Sequence, residues 1–285
     1  MIMSRSAEPD SAIDVAVVAP LIAGHAAVLL SPHSLEFFDR DLGIYVLGYV
    51  ASLAATSARR EFRHLLIIPA AGFAVGLTAE TLGVNTGVPF GRYQYVSLMG
   101  PRFLGVPLVV PMMWGLYAYL TYLIASSMIA RRGGVGAVLR ILHASLLMVV
   151  LDLAMDPFMV REVHAWIWLD EQGLSWFGVP ASNFAGWFAV SFAIFLIYEV
   201  AARRSPAPRA TALAAPYACL VMFFASFTGP ELAAPVAALL VLLLATPPIA
   251  AYAPRARSYT HPSLSSKSIR RGHTSLISSR VFLGS

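Results

Sequence analysis

The sequence predicts an all-α, multi-pass transmembrane helical bundle, and three observations carry that prediction. The chain is 58% hydrophobic and only 12% charged, with a mean hydropathy of +0.70. A water-soluble domain has no means of hiding that much apolar surface. Its apolar runs are roughly 16–28 residues long, enough to cross a bilayer as helices. They lack the period-two alternation of barrel strands, so their backbone groups must be satisfied within each helix.

Eight segments fit: Ile13–Leu30, Leu42–Ser57, His64–Leu82, Phe103–Ala130, Val135–Met155, Phe184–Ala202, Ala210–Phe227 and Leu232–Ala251. The second is short, and only Thr228-Gly229-Pro230-Glu231 separates the last two, so a count of seven stays open. The first is read as a retained helix rather than a signal peptide. Between Met1 and Asp14 the chain carries Glu8, Asp10 and Asp14 beside Arg5, and no small-residue cleavage site follows convincingly. No internal repeat stands out. Residues 1–252 are expected to form one transmembrane catalytic domain. Residues 253–285, with nine serines and six Lys/Arg, are expected to be a disordered basic tail. The single Cys219 excludes an internal disulfide framework and a cysteine-based metal cluster.

The arginines set the expected orientation. Arg5, Arg59, Arg60, Arg63, Arg131, Arg132, Arg140, Arg203, Arg204, Arg209 and the six basic residues of the tail fall on one side of an eight-helix arrangement. That is sixteen of the 20 Lys+Arg, against Arg40, Arg92, Arg102 and Arg161 on the other side. The positive-inside rule then predicts cytoplasmic termini and a multi-pass protein of the plasma membrane. Read this way, the +5 net charge reports topology and points to no nucleic-acid partner.

Two long loops lie on the outer side of this arrangement. Gly83–Arg102 is rich in Gly, Pro and aromatics, and Asp156–Asn183 carries Trp166, Trp168 and Trp176. Such composition suggests a lid, an interfacial half-helix or an aromatic belt at the headgroups.

Polar residues converge on the same side. Asp152 and Asp156 lie four residues apart on one helical face, and Pro157 is expected to end that helix. A carboxylate is costly at membrane depth, so this pair marks a candidate site. Glu80, Asn183 and Trp187 share the same leaflet, with His25, Tyr45 and Tyr49. Trp114 is placed about 16 Å into the fourth segment at 1.5 Å per residue. Glu199 is expected to pair with Arg203 one turn on. No metal motif, phosphate loop or dinucleotide fingerprint is present in the sequence.

A membrane pocket with three carboxyls and many aromatics suits acid-initiated chemistry on a lipid-soluble alkene. A carboxyl in apolar surroundings holds its proton and serves as a general acid. Aromatic faces stabilise the resulting cation, and a second carboxylate orients water.

Four stretches carry a family resemblance. They are Glu80-Thr-Leu-Gly-Val-Asn-Thr-Gly-Val-Pro-Phe-Gly-Arg-Tyr-Gln-Tyr, Leu104-Gly-Val-Pro-Leu with Trp114, Asp152-Leu-Ala-Met-Asp156-Pro, and Phe177-Gly-Val-Pro-Ala-Ser-Asn-Phe-Ala-Gly-Trp187. Over roughly residues 40–202 the chain resembles the CruF-type carotenoid hydratases, which include γ-carotene 1′-hydratases and bisanhydrobacterioruberin hydratases. The resemblance implies addition of water across the terminal double bond of an acyclic ψ-end, without a cofactor. It implies an acyclic or monocyclic carotenoid as substrate, with the lipid bilayer, water and other carotenoid-pathway enzymes as partners. Asp152 is then the leading proton donor, and Asp156 or Glu80 positions water or balances the cation. Asn85, Arg92, Tyr93, Tyr95, Trp114, Asn183 and Trp187 are pocket or motif positions. A headgroup anchor for Arg92 and a helix cap for Asn183 remain open. Two other functions remain as well: a membrane prenyltransferase using Asp-x-x-x-Asp as a magnesium site, and a lipid or pigment carrier, whose signature is a repeat with broken helices.

Overall fold

The computed structural model of the protein describes residues 64–96, 99–129, 133–169, 173–202 and 213–245. Among these residues there are six helices: α1 (Ile67–Thr86), α2 (Val109–Met128), α3 (Gly133–Arg161), α4 (Ala181–Ala201), α5 (Ala214–Thr228) and α6 (Pro230–Leu244). The first four are long and apolar enough to cross a membrane. At 15 residues each, α5 and α6 fall short of the roughly 20 that a span requires. The segments expected at Ile13–Leu30 and Leu42–Ser57, the residues His25, Tyr45 and Tyr49, and the tail 253–285 lie outside the described residues.

The four long helices form a ring. α1 packs on α2 and α4, α3 packs on α2 and α4, and α5 and α6 pack against α3. Glycine sets the closest approach. A Cβ on Gly72 of α1 would sit 2.6 Å from Cα of Gly115 in α2, and one on Gly76 would sit 2.7 Å from Cγ of Trp114. The bare backbone at Gly76 is therefore the seat of the Trp114 indole.

Among the same residues six short strands, four in the two long loops and two where the chain enters α2, correct the purely helical expectation. They are β1 (Tyr93–Tyr95), β2 (Arg102–Phe103), β3 (Val106–Pro107), β4 (Trp166–Trp168), β5 (Ser175–Trp176) and β6 (Val179–Pro180). In place of a half-helix, β1 and β4 form an antiparallel ribbon that ties the two loops together. Its register pairs Tyr93 with Trp168, Gln94 with Ile167 and Tyr95 with Trp166. Tyr93 and Tyr95 turn inward while Gln94 is exposed, the period-two pattern of a half-buried strand. The other two ribbons, β2–β3 and β5–β6, are tight hairpins. Their turns, Leu104-Gly105 and Phe177-Gly178, hold positive φ at both residues, as two-residue primed turns require.

These elements reveal a repeat that composition does not. The order helix, aromatic strand, Gly-Val-Pro hairpin, helix occurs twice, once from α1 to α2 and once from α3 to α4. One constant spacing separates Gln94 from Ile167, Gly105 from Gly178, Pro107 from Pro180 and Trp114 from Trp187. The halves meet at β1–β4 and at the stacked indoles of Trp114 and Trp187. The expectation of no internal repeat is corrected accordingly.

One local expectation also changes, and one buried ion pair is added to those expected. Pro157 does not end its helix, because α3 continues to Arg161. Proline has no N–H to give the Leu153 carbonyl one turn back, and Trp176 Nε1 donates to that carbonyl instead, at 3.0 Å. The side chain of a loop thus fills the gap in the helix. Glu199 pairs with Arg140 of α3, at 2.7 Å, and also accepts from Tyr122 OH at 2.7 Å; its expected partner Arg203 lies outside the described residues. Arg140 lies within the helix and is buried, so it joins α3 to α4.

Trp176→Phe is expected to lower the unfolding free energy by about 1 kcal/mol, read from denaturant unfolding in detergent. In a Pro157→Ala background the restored N–H takes the Leu153 carbonyl, and the same substitution should then cost less.

Candidate active site

Three carboxyl groups are buried at one end of the ring. Glu80 is at the C-terminal end of α1, and Asp152 and Asp156 are at that of α3. Their relative exposures are 6%, 1% and 2%. An apolar interior charges several kcal/mol for an unpartnered ionisable group, so the donors around them define the site.

Glu80 is the most fully held. One carboxylate oxygen accepts from the Tyr93 and Tyr95 hydroxyls, the latter at 2.7 Å, and the other accepts from Trp114 Nε1 at 2.9 Å. Burial, reinforced by the charge of Glu80, pushes both phenols well above the ordinary tyrosine range. They therefore remain O–H donors at any working pH.

Asp156 accepts from Trp166 Nε1 on Oδ1 and from Asn183 Nδ2 on Oδ2, both at 2.7 Å. The same Asn183 nitrogen donates to Asp152 Oδ2, also at 2.7 Å. One amide thus spans the two carboxyls that α3 stacks one turn apart. Asp152 Oδ1 is buried and has no hydrogen-bond partner. The three acids are graded: Glu80 has three donors, Asp156 two, and Asp152 one with an oxygen left over.

Asp152 also lines a cavity walled by aromatics and methionines. Trp114 and Trp187 stack with centroids 4.1 Å apart along one wall, with Phe90 beside Trp114 at 6.2 Å. The cavity volume is about 40 Å³. On the measure by which one water needs roughly 10–15 Å³, this is room for a few small groups and no more. Among the described residues no set of three His, Cys, Asp or Glu side chains is grouped as ligands for a metal.

The structure brings Glu80, Tyr93, Tyr95, Trp114, Asp152, Asp156, Asn183 and Trp187 together around this cavity. It does not bring Asn85 or Arg92 there. Asn85 is exposed and bonds back to the Thr81 carbonyl at 2.7 Å, and Arg92 is exposed on the ribbon. α4 begins at Ala181, ahead of Asn183, whose amide is spent on the two aspartates rather than on a helix cap. Trp114 is only five residues into α2, about 7.5 Å from its start rather than 16 Å. The residues Phe103 to Leu108, expected as helix, form the β2–β3 hairpin and its exit.

Sequence reasoning left Phe90, Tyr117, Trp166 and Trp168 and the methionines Met99, Met113, Met155 and Met159 out of the pocket. Only the tryptophans carried a signal. The triplets Tyr93-Gln94-Tyr95 and Trp166-Ile167-Trp168 both alternate aromatic, other, aromatic.

A family described as carotenoid biosynthesis protein matches residues 42–247. A curated relative, the bisanhydrobacterioruberin hydratase of Haloarcula japonica, is 27% identical over 194 residues, which is 65% of this chain and 63% of the relative. The chain thus spans somewhat less than two thirds of that relative's length. No solved structure matches.

Tyr95→Phe removes a donor from Glu80 and is expected to lower the unfolding free energy by ~1.5–3 kcal/mol, the range for hydrogen bonds to charged groups. Its exposed neighbour offers the comparison: Gln94→Ala should stay within about 0.5 kcal/mol of wild type in the same unfolding experiment.

Proposed function

We propose, from the premise that the chain belongs to the carotenoid biosynthesis protein family, that it adds water across the terminal double bond of an acyclic carotenoid end. The observation that carries this reading is Asp152, which lines a small aromatic cavity and has an unpartnered Oδ1. The name of the Haloarcula japonica relative, a carotenoid hydratase, supports the same reaction class.

Asp152 Oδ1 carries the proton and delivers it to the less substituted alkene carbon. The π electrons form that C–H bond and leave a tertiary cation on the neighbouring carbon. The faces of Trp114 and Trp187 stabilise the cation through their quadrupoles. Glu80, fixed by three donors, presents a carboxyl dipole beside the cation that needs no reorganisation during the reaction. Asp156 orients the water whose oxygen bonds to the cation. The proton that this water loses returns to the aspartate pair. The product is a tertiary alcohol, Asp152 is an acid again, and no electrons have been exchanged.

Asn183 holds the pair in register. It faces both aspartates with N–H bonds, the partner expected of a hydrogen-bonded acid pair and not of a diphosphate–magnesium site. This favours hydration over prenyl transfer. The repeat is one half of the signature expected of a carrier, but α1 to α4 each run unbroken and the polar groups are gathered at one end. The asymmetry of the arginines supports a plasma-membrane protein with cytoplasmic termini, which puts the cavity in the outer leaflet.

Asp152→Asn is expected to cut formation of the tertiary alcohol by about 100-fold or more in carotenoid-producing cells. Its amount in the membrane should match wild type by immunoblot. Undiminished product from that variant would remove Asp152 from the role of acid.

A further inference from the structure

The cavity at the carboxyls is too small for the polyene chain that the proposed substrate carries, and the chain needs somewhere else to lie. A second, apolar groove of about 450 Å³ runs along the outside of the ring between α1 and α4. Ala74, Thr78 and Leu82 form its floor at helical spacing, all exposed, and Val88 and Pro89 close one end. Its single polar side chain is turned inward, with Thr78 Oγ1 donating to the Ala74 carbonyl at 2.8 Å.

The groove and the cavity share a wall one residue thick. Ala79 lines the groove and Glu80 the cavity; Pro89 lines the groove and Phe90 the cavity. Val190 of α4 lies one turn beyond Trp187, with the first in the groove and the second in the cavity. The partition fits tightly at Gly186, where a Cβ would come within 2.7 Å of the Phe90 ring and 2.8 Å of the Pro89 carbonyl oxygen.

We infer that the groove between α1 and α4 holds the polyene shaft of the substrate, with its end group turned inward past Pro89–Phe90 to Asp152. The inference rests on the hydratase reading for the identity of the end group. The occupant follows from the groove itself: almost wholly apolar in its free surface, open on the outside of the ring, and sharing its wall with the reacting cavity. The acid pair then selects the end and the groove selects the chain.

The test uses full-length protein purified from lycopene-accumulating cells, with Ala74→Trp and Thr78→Trp filling the groove. Leu146→Trp and Leu196→Trp, at exposed positions elsewhere on α3 and α4, serve as controls. Two quantities are read: lycopene retained per protein, and hydration of lycopene against that of citronellene, a short alkene with the same trisubstituted end. The groove variants should lose about tenfold in both lycopene measures, a loss typical of a misfitting apolar pocket. Citronellene hydration and both controls should stay at wild-type levels. Wild-type retention of lycopene by the groove variants would overturn the inference. So would an equal loss with both alkenes, an equal loss in the controls, or a wild-type protein that retains no lycopene. A wild-type protein that retains lycopene and hydrates neither alkene would instead overturn the proposed reaction, and the retention comparison alone would then decide the groove.

Discussion

Asn183 donates from one amide nitrogen to Asp152 and Asp156, and much of the surrounding structure extends that arrangement. Three carboxyl groups sit at one end of an apolar ring of helices, where each must find donors or give up its place. The helices alone supply too few. Trp114 and Asn183 come from α2 and α4; Tyr93, Tyr95 and Trp166 come from the ribbon that joins the two long loops. The ribbon is thus the lid of the cavity and its hydrogen-bonding partner at once. The continuation of α3 past Pro157 serves the same end, since a helix broken there would carry Asp156 away from Asn183. Trp176 fills the vacated backbone acceptor and allows the helix to continue.

The internal repeat explains how one cavity acquires unlike walls. Both halves bring a helix, an aromatic strand, a Gly-Val-Pro hairpin and a second helix, and the two tryptophans that follow the hairpins stack where the halves meet. The acids break the symmetry. The first half contributes one carboxylate saturated by donors; the second contributes a pair that shares a single amide and leaves one oxygen free. The proposed hydration gives the saturated carboxyl and the pair with a free oxygen different parts, and a duplicated scaffold with one diverged face supplies that difference.

Much of this was legible in the sequence. Helical periodicity put Asp152 and Asp156 on one face, and the alternation of the long apolar segments put Glu80 and Asn183 at the same end of the bundle as that pair. The strands were missed because each is two or three residues long: four lie within loops read for composition, where such short alternation is hard to distinguish from an aromatic belt, and β2–β3 lies in an apolar run read as helix. Pro157 was misread because a proline rule describes the helix by itself, and the missing bond is made good by Trp176, some twenty residues away in sequence. The pairing of Arg140 with Glu199 was missed for the same reason: local spacing offers Arg203 first, and only the packing of α3 on α4 offers Arg140. The methionines of the cavity carried no signal, since a buried methionine in a membrane helix is ordinary.

The central claim is that the oxygen added to the carotenoid end comes from water, by way of a protonated alkene. Expression in an acyclic-carotenoid host grown in oxygen-18 water, followed by mass analysis of the extracted pigments, tests it most directly. The account predicts a pigment heavier by one labelled water, with the label on a tertiary carbon. A product without label, or a pigment of unchanged mass alongside abundant protein in the membrane, would contradict it.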